Sequence, residues 1–155
     1  MRLPVQDLMD MYKNNVYAVA FSICKNASDA EDVVQDTFLQ YYMTHKHFDN
    51  EQHIRAWLLR VAINKAKNIQ FSFWHRNGMP LDDYIETPET KELFEEVMKL
   101  PEKYRVAVHL FYYEDYSIKE IAKILRTTES NIKVRLSRGR AKLKDALKEG
   151  WEDEQ

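Results

Sequence analysis

Apolar residues recur along this chain at the three- and four-residue spacing of amphipathic helices, and no stretch shows the alternation of a strand. Two apolar stripes lie in the last third of the chain, one formed by Ile118, Ile121, Ala122 and Leu125 and the other by Ile132, Leu136, Leu143 and Leu147. The residues between the stripes, Arg126 to Thr128, are enough for a tight turn in which a threonine caps the next helix. This spacing predicts a helix-turn-helix whose two short helices pack on each other.

Capping residues mark where other helices begin. A proline stands at the start of three periodic segments, at Pro4, Pro88 and Pro101. The spacing of a capping box occurs twice, at Ser28 with Glu31 and at Ser117 with Glu120. Together these signals predict six or seven helices.

The segment FSFWHRNGMPLDDYIE, residues 71–86, lacks helical periodicity and combines Asn-Gly, Met-Pro and an acidic pair, as is typical of a linker. We therefore predict an all-α protein in which a flexible linker joins two small helical domains, the second of them the helix-turn-helix. The predicted bounds are residues 1–74 for the first domain, 75–90 for the linker and 91–150 for the second domain.

The helix predicted from Asp29 to about Thr44 has two different sides. The side predicted to be buried carries Ala30, Val33, Val34, Thr37 and Tyr41. The opposite side mixes acidic with apolar side chains, namely Asp32, Gln35, Asp36, Leu39 and Met43. Because carboxylates repel phosphate, this mixed side suits a basic and apolar protein partner rather than DNA. An ordinary solvated face with two stray hydrophobic residues is the alternative.

The next predicted helix, HIRAWLLRVAINKAKNIQF, has an apolar stripe made by Ile54, Trp57, Leu58, Val61 and Ile69. Cationic, amide and aromatic side chains lie together beside it, namely Arg60, Asn64, Lys67, Asn68 and Phe71. Such a surface can follow a phosphate backbone and hold unstacked bases, as in single-strand binders. Lys65 falls near the centre of the stripe. Either its aliphatic chain is buried while its amine extends into solvent, or the assignment of the buried face is wrong.

The second helix of the helix-turn-helix carries polar and cationic side chains away from its apolar stripe. They are Ser130, Asn131, Lys133, Val134, Ser137, Arg138 and Arg140. Side chains near the start of such a helix can contact base edges in a major groove, and those further along can contact phosphates. A merely basic, solvated helix is the alternative. Gly139 costs about 1 kcal/mol within a helix, and its position predicts only a close approach to a neighbouring element.

The formal net charge of −2 argues against a protein that coats nucleic acid indiscriminately. The charge is unevenly distributed, however: residues 78–104 hold 8 acidic and 3 basic residues, whereas residues 126–144 hold 7 basic and one acidic. Cys24 is the only cysteine, which excludes an internal disulfide and favours a reducing compartment. Since the chain shows neither an apolar signal core nor a bilayer-length apolar stretch, we expect a soluble, cytoplasmic protein.

Three histidines, His45, His47 and His53, lie close together and raise the alternative of a metalloenzyme. No cysteine, HExxH motif or convergent carboxylate set joins them, so a polar loop between helices is the preferred interpretation. The sequence also lacks a glycine-rich phosphate loop and a nucleophile elbow. We therefore predict no catalytic residues, no cofactor and no enzymatic activity of the chain itself.

Three stretches resemble a known family, the extracytoplasmic-function (ECF) group of bacterial RNA polymerase sigma factors. They are DAEDVVQDTFLQYY (29–42), HIRAWLLRVAINKAKN (53–68) and the segment from Leu100 to Lys144. Each is moderately specific, and their order and spacing make the combination strong. The resemblance implies a first domain corresponding to sigma region 2 and a second corresponding to sigma region 4.

The resemblance also implies roles for individual residues. It makes Asp32, Gln35, Asp36 and Leu39 polymerase-binding residues, and it makes residues 45–53 the loop that captures a flipped base of the minus-10 element. It implies that the melted minus-10 strand is contacted by Arg60, Asn64, Lys67 and Asn68. It also implies that the minus-35 element is contacted by Ser130, Asn131, Lys133, Val134, Ser137 and Arg138. The expected partners are core RNA polymerase, promoter DNA and an anti-sigma factor, without membrane insertion. The alternative function is a free-standing helix-turn-helix regulator that binds duplex DNA alone.

Overall fold

A computed structural model describes residues 1–77 and 91–153 of the chain. Its elements are α1 (Val5–Cys24), α2 (Ala27–Met43), α3 (Glu51–Asn77), α4 (Lys91–Lys99), α5 (Glu102–Val108), a π-helical turn (His109–Tyr113), α6 (Ile118–Leu125) and α7 (Glu129–Asp153). The prediction of an all-α protein is confirmed. The chain divides into two compact units, Met1–Tyr84 and Ile85–Gln155. Most of the predicted linker, residues 78–90, lies outside the described residues, and the predicted domain bounds stay a prediction.

In the first unit, α1, α2 and α3 each pack against the other two. The side of α2 that the sequence predicts to be buried is buried, and it faces an apolar surface of α1. That surface includes Leu8, Val16, Val19 and Ile23, each without exposed area. The amphipathic pattern of α2 therefore identified its core side correctly.

The predicted core face of α3 is partly wrong. Ile54 and Leu58 are fully buried, but Trp57, Val61 and Ile69 are only half-buried. Within residues 51–69, the other buried positions are Leu59, Ala62, Ile63 and Ala66. The two alanines lie on the core side, where small side chains allow helices to approach closely, and the larger Trp57 and Val61 cover its edge. Lys65 is half-buried beside this face rather than at its centre.

The start of α2 and the end of α3 also differ from the prediction. The capping box predicted at Ser28 is wrong, because the side chain of Asn26 accepts a hydrogen bond from the Asp29 N–H at 2.9 Å and α2 begins at Ala27. Asn26 has an extended backbone, which places its amide oxygen over the first turn. At the other end of the unit α3 continues to Asn77, so residues 71–77 of the predicted linker are helical.

In the second unit, α6, a turn and α7 form the predicted helix-turn-helix, which is confirmed. Ser117 and Glu120 make the predicted capping box, with both hydrogen bonds at 3.1 Å. Arg126 ends α6 in the left-handed region, with φ 55°. The hydroxyl of Thr128 then accepts from the Asn131 N–H at 3.1 Å, so a threonine caps α7 as expected.

The predicted stripes of the helix-turn-helix are confirmed in part. Ile121, Ala122, Ile132 and Leu136 are buried, whereas Ile118, Leu125 and Leu143 are half-buried and Ile124 is buried although it was not predicted. The side chain of Leu147 lies outside the described residues. Gly139 lies at a close approach of α7 to α5, as predicted. A Cβ atom at Gly139 would lie 2.9 Å from Cγ2 of Val108 and 3.6 Å from Cβ of Tyr104.

Candidate nucleic-acid and protein interfaces

The exposed side of α2 carries the four residues that the sequence assigns to a protein partner. Asp32, Gln35 and Asp36 are exposed, and Leu39 keeps 55% of its surface exposed. Their spacing places them on one side of the helix, opposite the core. Asp29, three residues before Asp32, is partly buried, and this burial, with the nearby Asp32 charge, raises the pKa of its carboxyl. The acidic half of this side thus lies at the first turns of α2.

The apolar half of the same side is larger than the sequence predicts. Leu39 is followed by Tyr42 and Met43, which are 68% and 66% exposed. Tyr42 was missed because hydropathy gives tyrosine little weight, although its three-residue spacing from Leu39 would place it beside that leucine. Together these three side chains form an uncovered apolar cluster, which is the usual composition of a protein-binding surface.

The polar side of α3 brings together the residues assigned to a single strand. Asn64, Lys67 and Asn68 are exposed and lie within two turns of the helix. Arg60 is half-buried, and its Nη2 atom is enclosed without a hydrogen-bond partner among the described residues. Because this nitrogen is enclosed, Arg60 would have to turn its guanidinium outward to donate to a phosphate or a base at the helix surface. The side chain of Phe71 lies outside the described residues.

The loop between α2 and α3, residues 44–50, is held by a buried aromatic residue. Phe48 has no exposed surface, and its ring lies 5.8 Å from Tyr41 and 5.5 Å from Trp57, measured between ring centroids. The Asn50 side chain caps α3 by accepting from the His53 N–H at 2.9 Å. The loop therefore has a fixed interior, while His45, Lys46 and His47 are exposed on its outside.

The three histidines do not converge on one point that could hold a metal. The Asp49 N–H donates to Nδ1 of His53 at 3.1 Å, so this ring nitrogen is an acceptor already in use. No group of three or more potential metal ligands occurs in residues 1–77 and 91–153. Over the same ranges, none of the helices has both the length and the apolar character that crossing a membrane requires.

The exposed side of α7 presents all six residues that the sequence assigns to duplex DNA. Ser130, Asn131, Lys133, Ser137 and Arg138 are exposed, and Val134 is 43% exposed. At 100° per residue they cover one side of the helix, opposite Ile132, Leu136 and Gly139. The helix-turn-helix therefore buries its apolar side and presents an amide-rich and basic side to solvent.

Three side chains of α7 are also held by neighbours. The Asn131 amide donates to the Thr127 hydroxyl at 2.8 Å, which leaves its carbonyl oxygen to accept from a base. Arg138 lies 3.5 Å from the Tyr104 hydroxyl, and this hydrogen bond lowers the pKa of that hydroxyl. Arg140 lies 5.7 Å and 5.6 Å from the ring centroids of Phe111 and Tyr112, so it contacts the π-helical turn.

Comparison with known families finds one match within each of the two compact units. Residues 8–72 match the family described as Sigma-70 region 2, and residues 90–143 match Sigma-70 region 4. The ECF RNA polymerase sigma factor SigM of Bacillus subtilis (strain 168) is 30% identical over 98% of this chain and all of its own length. The chain belongs to the ECF family of RNA polymerase sigma factors. The resemblance found in the sequence is thereby confirmed, and the function is that of a promoter-directing sigma factor.

A further relative and a solved structure are also similar to this chain. The ECF RNA polymerase sigma factor SigW of Bacillus subtilis is 27% identical over 92% of this chain and 88% of its own. Among solved structures, the sigma factor RpoE of Bartonella quintana, in complex with the anti-sigma factor NepR, has the same fold, with a TM-score of 0.81 and 22% identity over 92% of this chain and 96% of its own. These relatives are sigma factors and none is named as an enzyme. Neither a free-standing regulator nor a metalloenzyme gains support from them.

Proposed function

We propose that this sigma factor divides promoter recognition among three surfaces, each on a different helix. The observation that carries the proposal is the contrast between two exposed helix sides. The side of α2 is acidic and apolar, and the side of α7 is basic and amide-rich. Because DNA is a polyanion, only the second side suits duplex binding, and the first suits a protein with basic and apolar groups.

The α2 side binds core RNA polymerase through Asp32, Gln35, Asp36 and Leu39. The cluster of Leu39, Tyr42 and Met43 adds apolar contact area beside the carboxylates. An anti-sigma protein that covered this side would prevent polymerase from binding. The complex of RpoE with NepR supports regulation of this kind. Protection of α2 amides from hydrogen exchange by a co-purifying inhibitor would test it, and unchanged exchange in α2 would contradict it.

The minus-10 element is opened by α3 together with the α2–α3 loop. Arg60, Asn64, Lys67 and Asn68 hold the separated strand, and the exposed part of the loop captures one flipped base. Flipping a base costs a few kcal/mol, which contacts to a preformed pocket can offset. The buried Phe48 supports this role, because it gives the loop a fixed shape before DNA arrives.

The minus-35 element is bound by α7 through Ser130, Asn131, Lys133, Val134, Ser137 and Arg138. We further propose that residues 1–74 act as region 2, residues 75–90 as the linker and residues 91–150 as region 4. The protein has no enzymatic activity of its own and acts in the cytoplasm, where polymerase and promoters are found. A run-off assay with core polymerase and a randomised promoter library tests the whole proposal, because absence of new start sites and of co-elution with polymerase would refute it.

Lys133→Ala with Arg138→Ala is expected to lower transcription from a promoter selected by the wild-type protein by roughly 30-fold, since each lost contact to a base or phosphate costs about 1 kcal/mol or more. Association with core polymerase should be unchanged. Run-off transcription and co-elution measure the two effects separately. Lys142→Ala with Lys144→Ala removes the same charge further along α7, and we expect a clearly smaller loss. Equal losses of transcription and of polymerase association in the first variant would contradict the division of roles.

A further inference from the structure

The first three residues contact the end of α2 and the loop after it, although about 40 residues separate them along the chain. The guanidinium of Arg2 donates to three main-chain carbonyl groups, from Nη1 to Thr44 at 2.7 Å and from Nη2 to Tyr41 and Tyr42 at 2.7 and 3.2 Å. The last carbonyls of a helix lack partners within the helix and carry a partial negative charge. Because α2 has no basic residue in its own last turn, Arg2 supplies the cation at that end.

Two more contacts fix this amino-terminal segment in place. The Tyr41 hydroxyl donates to the Leu3 carbonyl at 2.7 Å and accepts from the Leu3 N–H at 3.0 Å. The amino group of Met1 donates to the Phe48 carbonyl at 2.6 Å. The Arg2 guanidinium also lies over the Tyr41 ring, 4.8 Å from its centroid. The segment therefore holds the α2–α3 loop at its first residue, Thr44, and at its buried anchor, Phe48.

We propose that Arg2 is a positioning residue for promoter opening, which fixes the α2–α3 loop in the shape that captures the flipped base. The inference rests on the proposed function of that loop. Arg2 lies before residues 8–72, which match Sigma-70 region 2, so the match itself gives Arg2 no role. The planar guanidinium suits the task because several N–H groups in fixed directions can reach neighbouring carbonyls at once. Lysine has a single flexible ammonium and cannot reproduce this fork.

The test compares promoter use by holoenzymes that contain wild-type or variant protein on one randomised promoter library, read by mapping start sites and sequencing. Arg2→Ala is expected to lower the preference at the single captured base by about five-fold, since a pocket that is no longer preformed discriminates less between bases. Preferences in the minus-35 element and association with core polymerase should stay unchanged. Arg2→Lys should restore part of the preference, and Tyr41→Phe should lower it less than Arg2→Ala does.

Lys13→Ala is the matched control, because Lys13 is an exposed cation of α1 and its loss changes the net charge equally. It should leave every preference unchanged. A loss confined to the captured base supports the proposal. An unchanged preference in Arg2→Ala overturns it, and so does an equal loss at all positions together with weaker polymerase association, which would show that Arg2 only stabilises the fold.

A parallel variant, Asn64→Ala with Lys67→Ala, separates this inference from the function on which it rests. If that variant loses minus-10 preference while Arg2→Ala keeps it, only the role of Arg2 is refuted. If neither variant changes the minus-10 preference, the assignment of α3 and its loop to the minus-10 element fails as well.

Discussion

Reversing two charges on α2, by Asp32→Lys with Asp36→Lys, is expected to abolish stable association with core RNA polymerase and, as a result, all promoter-directed transcription. Both carboxylates are exposed, on the same side of the helix as the apolar cluster that begins at Leu39. Placing like charges opposite each other in an interface costs several kcal/mol, so the affinity should fall by about 1,000-fold or more. The fold should be unaffected, since neither side chain contributes to the core.

Co-elution and a binding titration with core polymerase measure this loss, and thermal unfolding checks the fold. Asp7→Lys with Asp10→Lys makes the same change in net charge on the exposed side of α1 and should leave polymerase affinity within about three-fold of wild type, as surface charges away from an interface have small effects. If the α1 variant lost polymerase binding and the α2 variant kept it, the assignment of the α2 side would be wrong. Loss in both would point to net charge rather than to a specific surface.

Features that are determined by the spacing of nearby residues could be predicted from the sequence. The core side of α2 and the helix-turn-helix follow from periodic large apolar residues and from a three-residue turn with a threonine cap. The capping box at Ser117 was found for the same reason, because both of its hydrogen bonds join residues three apart. In each case the signal and the structure that it produces lie within a few residues of each other.

The core side of α3 shows where such patterns mislead. The predicted buried face was chosen from the large apolar residues and therefore included Trp57 and Val61. The side that faces the other helices instead includes Ala62 and Ala66. Alanine adds little to a hydropathy pattern, but its small size is what permits close helix packing. The same bias toward large aliphatic residues hid Tyr42 in the exposed cluster of α2.

Contacts between distant parts of the chain could not be predicted at all. Nothing around Arg2 indicates that its guanidinium caps α2, since the carbonyls it binds lie about 40 positions away. Arg105 is a second case, because it is 3% exposed and donates to the carbonyls of Met98 and Leu100 at 3.2 and 2.8 Å. A sequence pattern predicts an arginine to be exposed, and only the packed structure shows which main-chain acceptors satisfy it. The exposure of the assigned residues on regular helix sides could thus be predicted from the sequence, whereas the long-range contacts of Arg2 and Arg105 could not.

Gly139→Leu is expected to destabilise the second unit by about 3 kcal/mol or more, because an inserted side chain has no room between α7 and α5. A Cβ atom alone would lie 2.9 Å from Cγ2 of Val108, and Val108 is buried and β-branched, so it cannot turn away. Leucine itself favours a helix over glycine by about 1 kcal/mol, so any measured loss understates the packing cost. Hydrogen exchange of amides in α5 and α7 of the full chain measures the effect within this unit.

Gly139→Ala separates the gain in helix propensity from the cost of the steric contact with Val108. Its helix propensity should stabilise α7 by about 1 kcal/mol, while the contact with Val108 should cost about 1–3 kcal/mol, so we expect a small net loss. Val108→Ala removes the Cγ2 atom that the new Cβ would meet, and in the double variant Gly139→Ala should therefore become stabilising. A stabilising Gly139→Ala in the wild-type background would contradict the constraint. Since Gly139 faces α5 and not the side of Ser130 and Lys133, the distance between helices, rather than a contact with DNA, requires glycine there.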